Sequence, residues 1–292
     1  MLQTNEIETR FTLPASDGHA IECYAWPAPA APRGVVQLVH GMSEHIRRYR
    51  HVAQALAAQG YAVYGSEHRG HGQSAFDAGT AGDFGPRGFA ALVDDMAAVT
   101  RALRERHPGL PLTMVAHSMG SMAAQVYLIE HSALLDALAL SGTAALEMLD
   151  VRTSGWTPET ANASTGPNSA TPADWLSRDP AVPAAFLADP LCGTPLTLPS
   201  LFSIFDEGNR TADTAVYAAV RRNLPLFLFT GDHDPVNANL AWFDPLVQRL
   251  RAAGFSDLST HVYGGARHEV FNETNREEVI ANLAVWIRRA AG

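Results

Sequence analysis

A chain of 292 residues, 47% of them hydrophobic, can bury a substantial core as one large domain or two small ones. Its formal charge of -9, without any basic run, excludes nucleic acid as a partner, because phosphates demand a clustered cationic face. All 21 basic residues are arginine, which removes Schiff-base lysines, phosphate-loop lysines and Ser-Lys dyads, so any serine chemistry here must use histidine.

The opening segment MLQTNEIETRFTL lacks the charged-then-apolar order of a signal peptide. No run approaches the roughly 18 consecutive apolar residues of a membrane span, and the expectation is a soluble, cytoplasmic protein. Short β-prone runs at Phe11 to Leu13 and Ala20 to Trp26 flank Ser16-Asp17-Gly18, which reads as a hairpin. After a Pro-Ala linker come apolar runs suited to strands buried on both faces: Val35 to Val39, Tyr61 to Tyr64, Leu112 to Val115, Ala137 to Leu140 and Leu226 to Phe229, with Ser259 to Tyr263 as the last. Helix-length segments alternate with them at His51 to Gln59, Phe89 to Arg106, Met119 to His131 and Glu277 to Ala290. This alternation predicts an α/β fold, a mostly parallel, doubly wound sheet with helices on both faces. The rhythm breaks between Ala144 and Asn223, too long for an ordinary connection and too rich in Trp and Phe for disorder. We expect a core of 1–143 and 224–292 interrupted by a helical cap over 144–223.

The centre of the chemistry is Val115-Ala116-His117-Ser118-Met119-Gly120, directly after one expected strand and directly before an expected helix. A serine on such a sharp turn projects its hydroxyl above the sheet, and small residues two positions either side let strand and helix approach. Past the Leu226 to Phe229 strand, Thr230-Gly231-Asp232-His233-Asp234-Pro235 offers two carboxylates at the end of the sheet where ligands bind. The Gly-x-x-Asp spacing with its following proline favours Asp234 over Asp232, which reads as a loop-bracing or solvated group. After the last strand, Gly264-Gly265-Ala266-Arg267-His268 delivers a histidine in a glycine-rich loop. Nucleophile, acid and base thus occur in the order Ser118, Asp234, His268. Two backbone amides are expected to receive the oxyanion: Met119, after the nucleophile at a helix N-terminus, and Met42, in the His40-Gly41-Met42 loop.

Other eye-catching residues receive blander readings. His45, His51, His68, His71 and His117 lack the acidic partners and i, i+4 spacing of a zinc hydrolase and are expected to be surface or network histidines. Cys23 and Cys192 lie far apart without CxxC spacing and read as unreactive buried thiols. Arg69 to Ser74 is expected to be a glycine-punctuated turn shaping the sheet edge.

The chain resembles the monoacylglycerol lipase and lysophospholipase branch of the α/β-hydrolase superfamily. The likeness rests on His40-Gly41-Met42-Ser43-Glu44-His45 with Arg48-Tyr49, on Glu67 to Ser74, on the turn at Ser118, on the acid and base loops, and on Leu176 to Pro180 with Ala188 to Leu191. It departs from the family pattern at Ala116, where glycine is usual. The resemblance implies an α/β-hydrolase fold and a serine hydrolase of monoacylglycerols, lysophospholipids or simple carboxylic esters. It also implies that Glu44 and Arg48 brace the oxyanion loop as a pair. The reaction would need no metal or cofactor, and the apolar cap would offer an acyl pocket and a transient contact with a lipid surface. Thioesterase, amidase or peptidase activity on a small apolar substrate is the nearest alternative, and a non-catalytic binding protein of the same fold is a further one.

Overall fold

The computed structural model describes residues 8–166 and 169–291; residues 1–7 and 292 of the expected core, with Pro167 and Asn168 of the expected cap, lie outside them. The hairpin is β1 (Thr9–Pro14) and β2 (Ala20–Trp26), paired antiparallel around a turn in which Gly18 takes a φ of +86°. The apolar runs become β3 (Gly34–Val39), β4 (Tyr61–Ser66), β5 (Leu112–His117), β6 (Ala137–Ser141), β7 (Leu226–Gly231) and β8 (Leu258–Tyr263). These eight strands form one sheet in the order β1-β2-β4-β3-β5-β6-β7-β8. All neighbours from β4 to β8 are parallel, while β2 runs antiparallel to β4.

The helices in chain order are α1 (Arg50–Ala58), α2 (Gly72–Asp77), α3 (Gly88–Arg106), α4 (Met119–His131), α5 (Leu146–Leu149), α6 (Pro158–Ala163), α7 (Ala181–Ala188), α8 (Leu198–Gly208), α9 (Phe243–Ala252) and α10 (Arg276–Ala290). Strand alternation assigns each to a face. In β3, Val36 and Leu38 pack with Val52 and Leu56 of α1 and Leu283 and Ile287 of α10. Val35 and Val39 point the other way, into the cluster that holds Leu92 and Met96 of α3, Ala123 of α4 and Leu246 of α9. Two helices were not anticipated. Phe243, Leu246, Val247 and Leu250 of α9 do follow a helical stripe, whereas α2 opens on glycine and hides among turn signals. The expected turn at Arg69 to Ser74 is therefore corrected: it leads into α2, and Arg69 is buried and bound bidentately to Asp95 of α3 at 2.8 and 2.9 Å.

Between β6 and β7 the chain makes the short helices α5 to α8. Thr157 and Thr197 supply the caps that start α6 and α8, each followed by a proline in the first turn. Leu146, Leu149, Ile204 and Phe205 join the core cluster of α3 and α4. No helix among the described residues is long and apolar enough to cross a membrane.

Strand order reverses between β3 and β5, since β4 lies to one side of β3 and β5 to the other. The loops leaving the carboxyl ends of β3 and β5 therefore diverge and open a crevice. Those loops begin at His40 and Ser118.

Candidate active site

Ser118 joins β5 to α4 with φ 53° and ψ -125°, a conformation that side chains adopt rarely and only when the surroundings hold it. Its amide donates to Ser141 O at 2.9 Å, and its carbonyl accepts from Met122 N at 3.0 Å and Ser121 Oγ at 2.6 Å. A Cβ on Gly120 would lie 2.4 Å from His40 O, so the start of α4 can run this close to the end of β3 only with glycine there. Ala116 is fully buried between Val39 and Leu140, and its one methyl group fits.

The three side chains expected to converge form one hydrogen-bonded line. Ser118 Oγ lies 2.8 Å from His268 Nε2, and His268 Nδ1 lies 2.9 Å from Asp234 Oδ1. Asp234 is wholly buried and accepts from Val236 N at 2.9 Å, Thr230 Oγ1 at 3.0 Å and Asn237 Nδ2 at 3.2 Å. Those bonds aim one carboxylate oxygen at the imidazole, which fixes Nδ1–H as donor and leaves the Nε2 lone pair for the serine proton. Burial pushes the His268 pKa down, but the Asp234 charge and hydrogen bond, helped by the charges of Glu269 and Glu44, outweigh it and hold the group above its ordinary value. Asp232 turns outward from this line: its Oδ1 accepts from Gly265 N at 2.6 Å, so it braces the loop that carries His268.

Two aromatic rings pack against the imidazole. The His117 ring centroid lies 4.7 Å from it, and that of Trp175, from the segment between α6 and α7, lies 5.3 Å away. Gly142 has a φ of +56°, and a Cβ there would stand 3.0 Å from His268 Cε1 and 2.9 Å from His117 Cε1. Trp175 O and Leu176 O also accept the amides of His268 and Glu269, at 3.4 and 2.8 Å.

The loop after β3 runs beside this line and leaves one amide unbound. Gly41 N donates to Glu44 Oε1 at 2.6 Å and Ser43 N to His71 Nε2 at 3.0 Å, while Met42 N between them meets no acceptor among the described residues. Met119 is the first residue of α4, so no carbonyl of its own helix lies behind its amide. Gly41 is close enough that a Cβ would stand 3.1 Å from Ser118 Cβ. Glu44 also accepts from Tyr49 Oη at 2.6 Å and from Arg48 Nη1 at 2.5 Å. Arg48 then reaches Glu269 in a bidentate pair at 2.7 and 2.8 Å. One largely buried ionic chain thus runs from the loop after β3 to the residue after His268.

Glu269, His71, Gly142 and Trp175 also contact this geometry, and no local pattern in the sequence marks them. The histidines behind the loop are neutral supports. His68 N donates to His40 Nε2 at 3.0 Å and His68 Nε2 bonds His40 O at 3.0 Å. Burial holds His40 down to about 4, and burial with the nearby His40 holds His71 down to about 3. One expectation is corrected here: His45 does have an acidic partner, Asp189 Oδ2 at 3.0 Å, which lies 144 residues along the chain.

Comparison with known proteins agrees with this architecture. The family model described as "Serine aminopeptidase, S33" matches residues 30–275. A monoacylglycerol lipase of Mycolicibacterium smegmatis is 32% identical over 275 residues, 90% of each chain. Among solved structures, a thermostable carboxyl esterase from Bacillus coagulans in complex with glycerol superposes with a TM-score of 0.87 at 28% identity, covering 98% of this chain and 99% of that one. A lipase in its open form does so with a TM-score of 0.84 at 28% identity, covering 98% and 100%.

Proposed function

The chain belongs to the S33 serine aminopeptidase family of α/β hydrolases and is a carboxylic-ester hydrolase; from that premise we propose that it cleaves monoacylglycerols and related acyl esters through an acyl-enzyme on Ser118. What carries the reading is the unbroken line from Ser118 Oγ through His268 to Asp234, set beside an unbound amide at Met42. His268 Nε2 takes the hydroxyl proton as Ser118 Oγ attacks the ester carbonyl. The amides of Met42 and Met119 receive the oxyanion, and Asp234 stabilises the imidazolium. The imidazolium then protonates the departing alcohol. In the second half His268 takes a proton from water, the hydroxide attacks the acyl-enzyme, and the serine leaves with its proton restored. Every proton is carried by His268, so the cycle calls for no metal or cofactor.

Glu44 and Arg48 are positioning residues, since Glu44 holds the Gly41 amide and Arg48 ties Glu44 to Glu269. We assign 144–223 as a cap inserted in a core of 1–143 and 224–292. Trp175 against the His268 ring and Trp156 Nε1 bonded to Pro235 O at 3.2 Å support that division. Exposed Leu187, Leu198 and Phe202 on the same insertion support a transient lipid contact. Amide hydrolysis is the second reading, favoured by the family's aminopeptidase description. A fluorophosphonate probe should label the wild type and not Ser118→Ala, and monoacylglycerols should turn over faster than para-nitroanilides. An unlabelled wild type, or anilides as the better substrates, would count against the proposal.

A further inference from the structure

Apart from the line through Ser118, three metal-ligating side chains of different chemistry meet where the loop after β3 touches the segment following α7. One ligand atom each from His45, Asp189 and Cys192 lie within 4.8 Å of one another. We propose that these three residues form a site for a single divalent cation of the zinc class, which fastens the segment after α7 to the loop that carries Met42.

The geometry is close to what such an ion needs. Around tetrahedral zinc, with bonds of about 2.0 Å to nitrogen or oxygen and about 2.3 Å to sulfur, neighbouring donors stand roughly 3.3–3.6 Å apart. The His45 Nε2 to Asp189 Oδ2 distance of 3.0 Å is already near that edge, and the thiol has to move in by little more than an ångström. Two hydrogen bonds hold the donors in register: Gly193 N donates to Ser43 O at 2.8 Å, and the Ser43 Oγ hydroxyl donates to Thr194 O at 2.6 Å. Ligands set on loops fastened this way meet the demand that a metal site be preorganised.

The competing bonds are few. His45 is buried and its Nδ1 has no partner among the described residues, so the ring gives up a single hydrogen bond when a cation enters. His45 and Asp189 also line an open cleft of about 430 Å³, so an ion has a route in and water can fill the remaining position. Of the three arginines beside this cleft, Arg48 is already paired with Glu44 and Glu269, and Arg47 and Arg50 share Glu8, so three carboxylates face three cations. Imidazole, carboxylate and thiolate together balance a divalent charge, once the cation displaces the Cys192 proton to solvent. A nitrogen-oxygen-sulfur set selects zinc or cobalt over magnesium and calcium, which prefer all-oxygen shells.

The test uses the full chain, tag-free and metal-stripped, titrated with Co²⁺. One equivalent should produce a near-ultraviolet thiolate-to-cobalt band with tetrahedral visible absorption. Zn²⁺ should displace it, and excess Mg²⁺ or Ca²⁺ should not. Cys192→Ser should abolish the thiolate band, and Asp189→Asn should keep it but weaken binding by at least the roughly 10- to 100-fold that loss of an outer-shell partner costs. Zn²⁺ should raise the Tm of the wild type and not of Cys192→Ser. Absence of the band in the wild type, or its persistence in Cys192→Ser, overturns the proposal. The readout is metal and not turnover, so either result leaves the hydrolase reading untouched.

Discussion

Room for the His268 imidazole is made by the side chain that Gly142 lacks. With φ at +56°, alanine at that position pays about 1–2 kcal/mol for the left-handed backbone, and its Cβ also meets both His268 and His117. A displacement of about 1 Å at a reacting group can cost on the order of 100-fold. Gly142→Ala is therefore expected to lower kcat by roughly 10- to 100-fold, with KM much less affected, as steady-state kinetics on a soluble ester would read. The charges around the ring set its pH dependence. The proposed mechanism needs neutral His268, and although burial pulls its pKa down, the Asp234 charge and hydrogen bond and the Glu269 charge lift it above its ordinary value, so kcat/KM should fall on acidification with a midpoint higher than that of an ordinary imidazole. Glu269→Gln removes one lifting charge, and the midpoint should move to lower pH; a profile that shifts upward instead would contradict this assignment. Ser118, Asp234 and His268 were legible because each lies within five residues of the end of a strand, in its own local pattern. Glu269 was not, because it is defined by Arg48, 221 residues away, and no local spacing records that pair.

At the scale of elements, the site depends on how tightly α4 is drawn against β3. Gly120 faces His40 O and Val39 on that contact, and the nearest approach of an added Cβ, 2.4 Å, is to backbone that cannot rotate aside. Gly120→Ala must push the helix away from the sheet, an overpacking that costs typically about 1–3 kcal/mol. The expected result is a Tm lowered by several degrees together with slower turnover, because the Met119 amide moves with α4. Thermal unfolding followed by circular dichroism measures the first, and an unchanged Tm would show that the strand-helix contact has slack. Buried strands were readable as continuous apolar runs, since six of the eight are almost wholly buried along their length. The short helices between β6 and β7 were not resolved individually. They last one to three turns, and their ends are set by Thr157 and Thr197 caps and by prolines, which break the 3.6-residue period before it can accumulate.

The whole molecule combines a formal charge of -9 with exposed apolar side chains, and three of the six large ones among the described residues lie on the insertion. Leu198 and Phe202 are 64% and 37% exposed and lie four residues apart on α8, hence on one face, and Leu187 of α7 is 50% exposed. Each such side chain is worth about 1.5–3 kcal/mol when fully buried in an apolar phase, so two or three suffice for a reversible lipid contact. Long-range charge works against anionic surfaces and is screened over about 10 Å at 0.1 M salt. Binding to neutral vesicles containing monoacylglycerol should therefore depend little on salt, while binding to anionic vesicles should be weaker at low salt and recover as salt rises. Leu198→Asp combined with Phe202→Asp should reduce hydrolysis of vesicle-borne monoacylglycerol about tenfold or more, the equivalent of losing some 1.4 kcal/mol of contact. It should leave hydrolysis of a water-soluble short-chain ester unchanged, because neither residue touches the Ser118–His268–Asp234 line. Equal losses on both substrates would place the defect in the fold and remove the case for lipid contact through this surface.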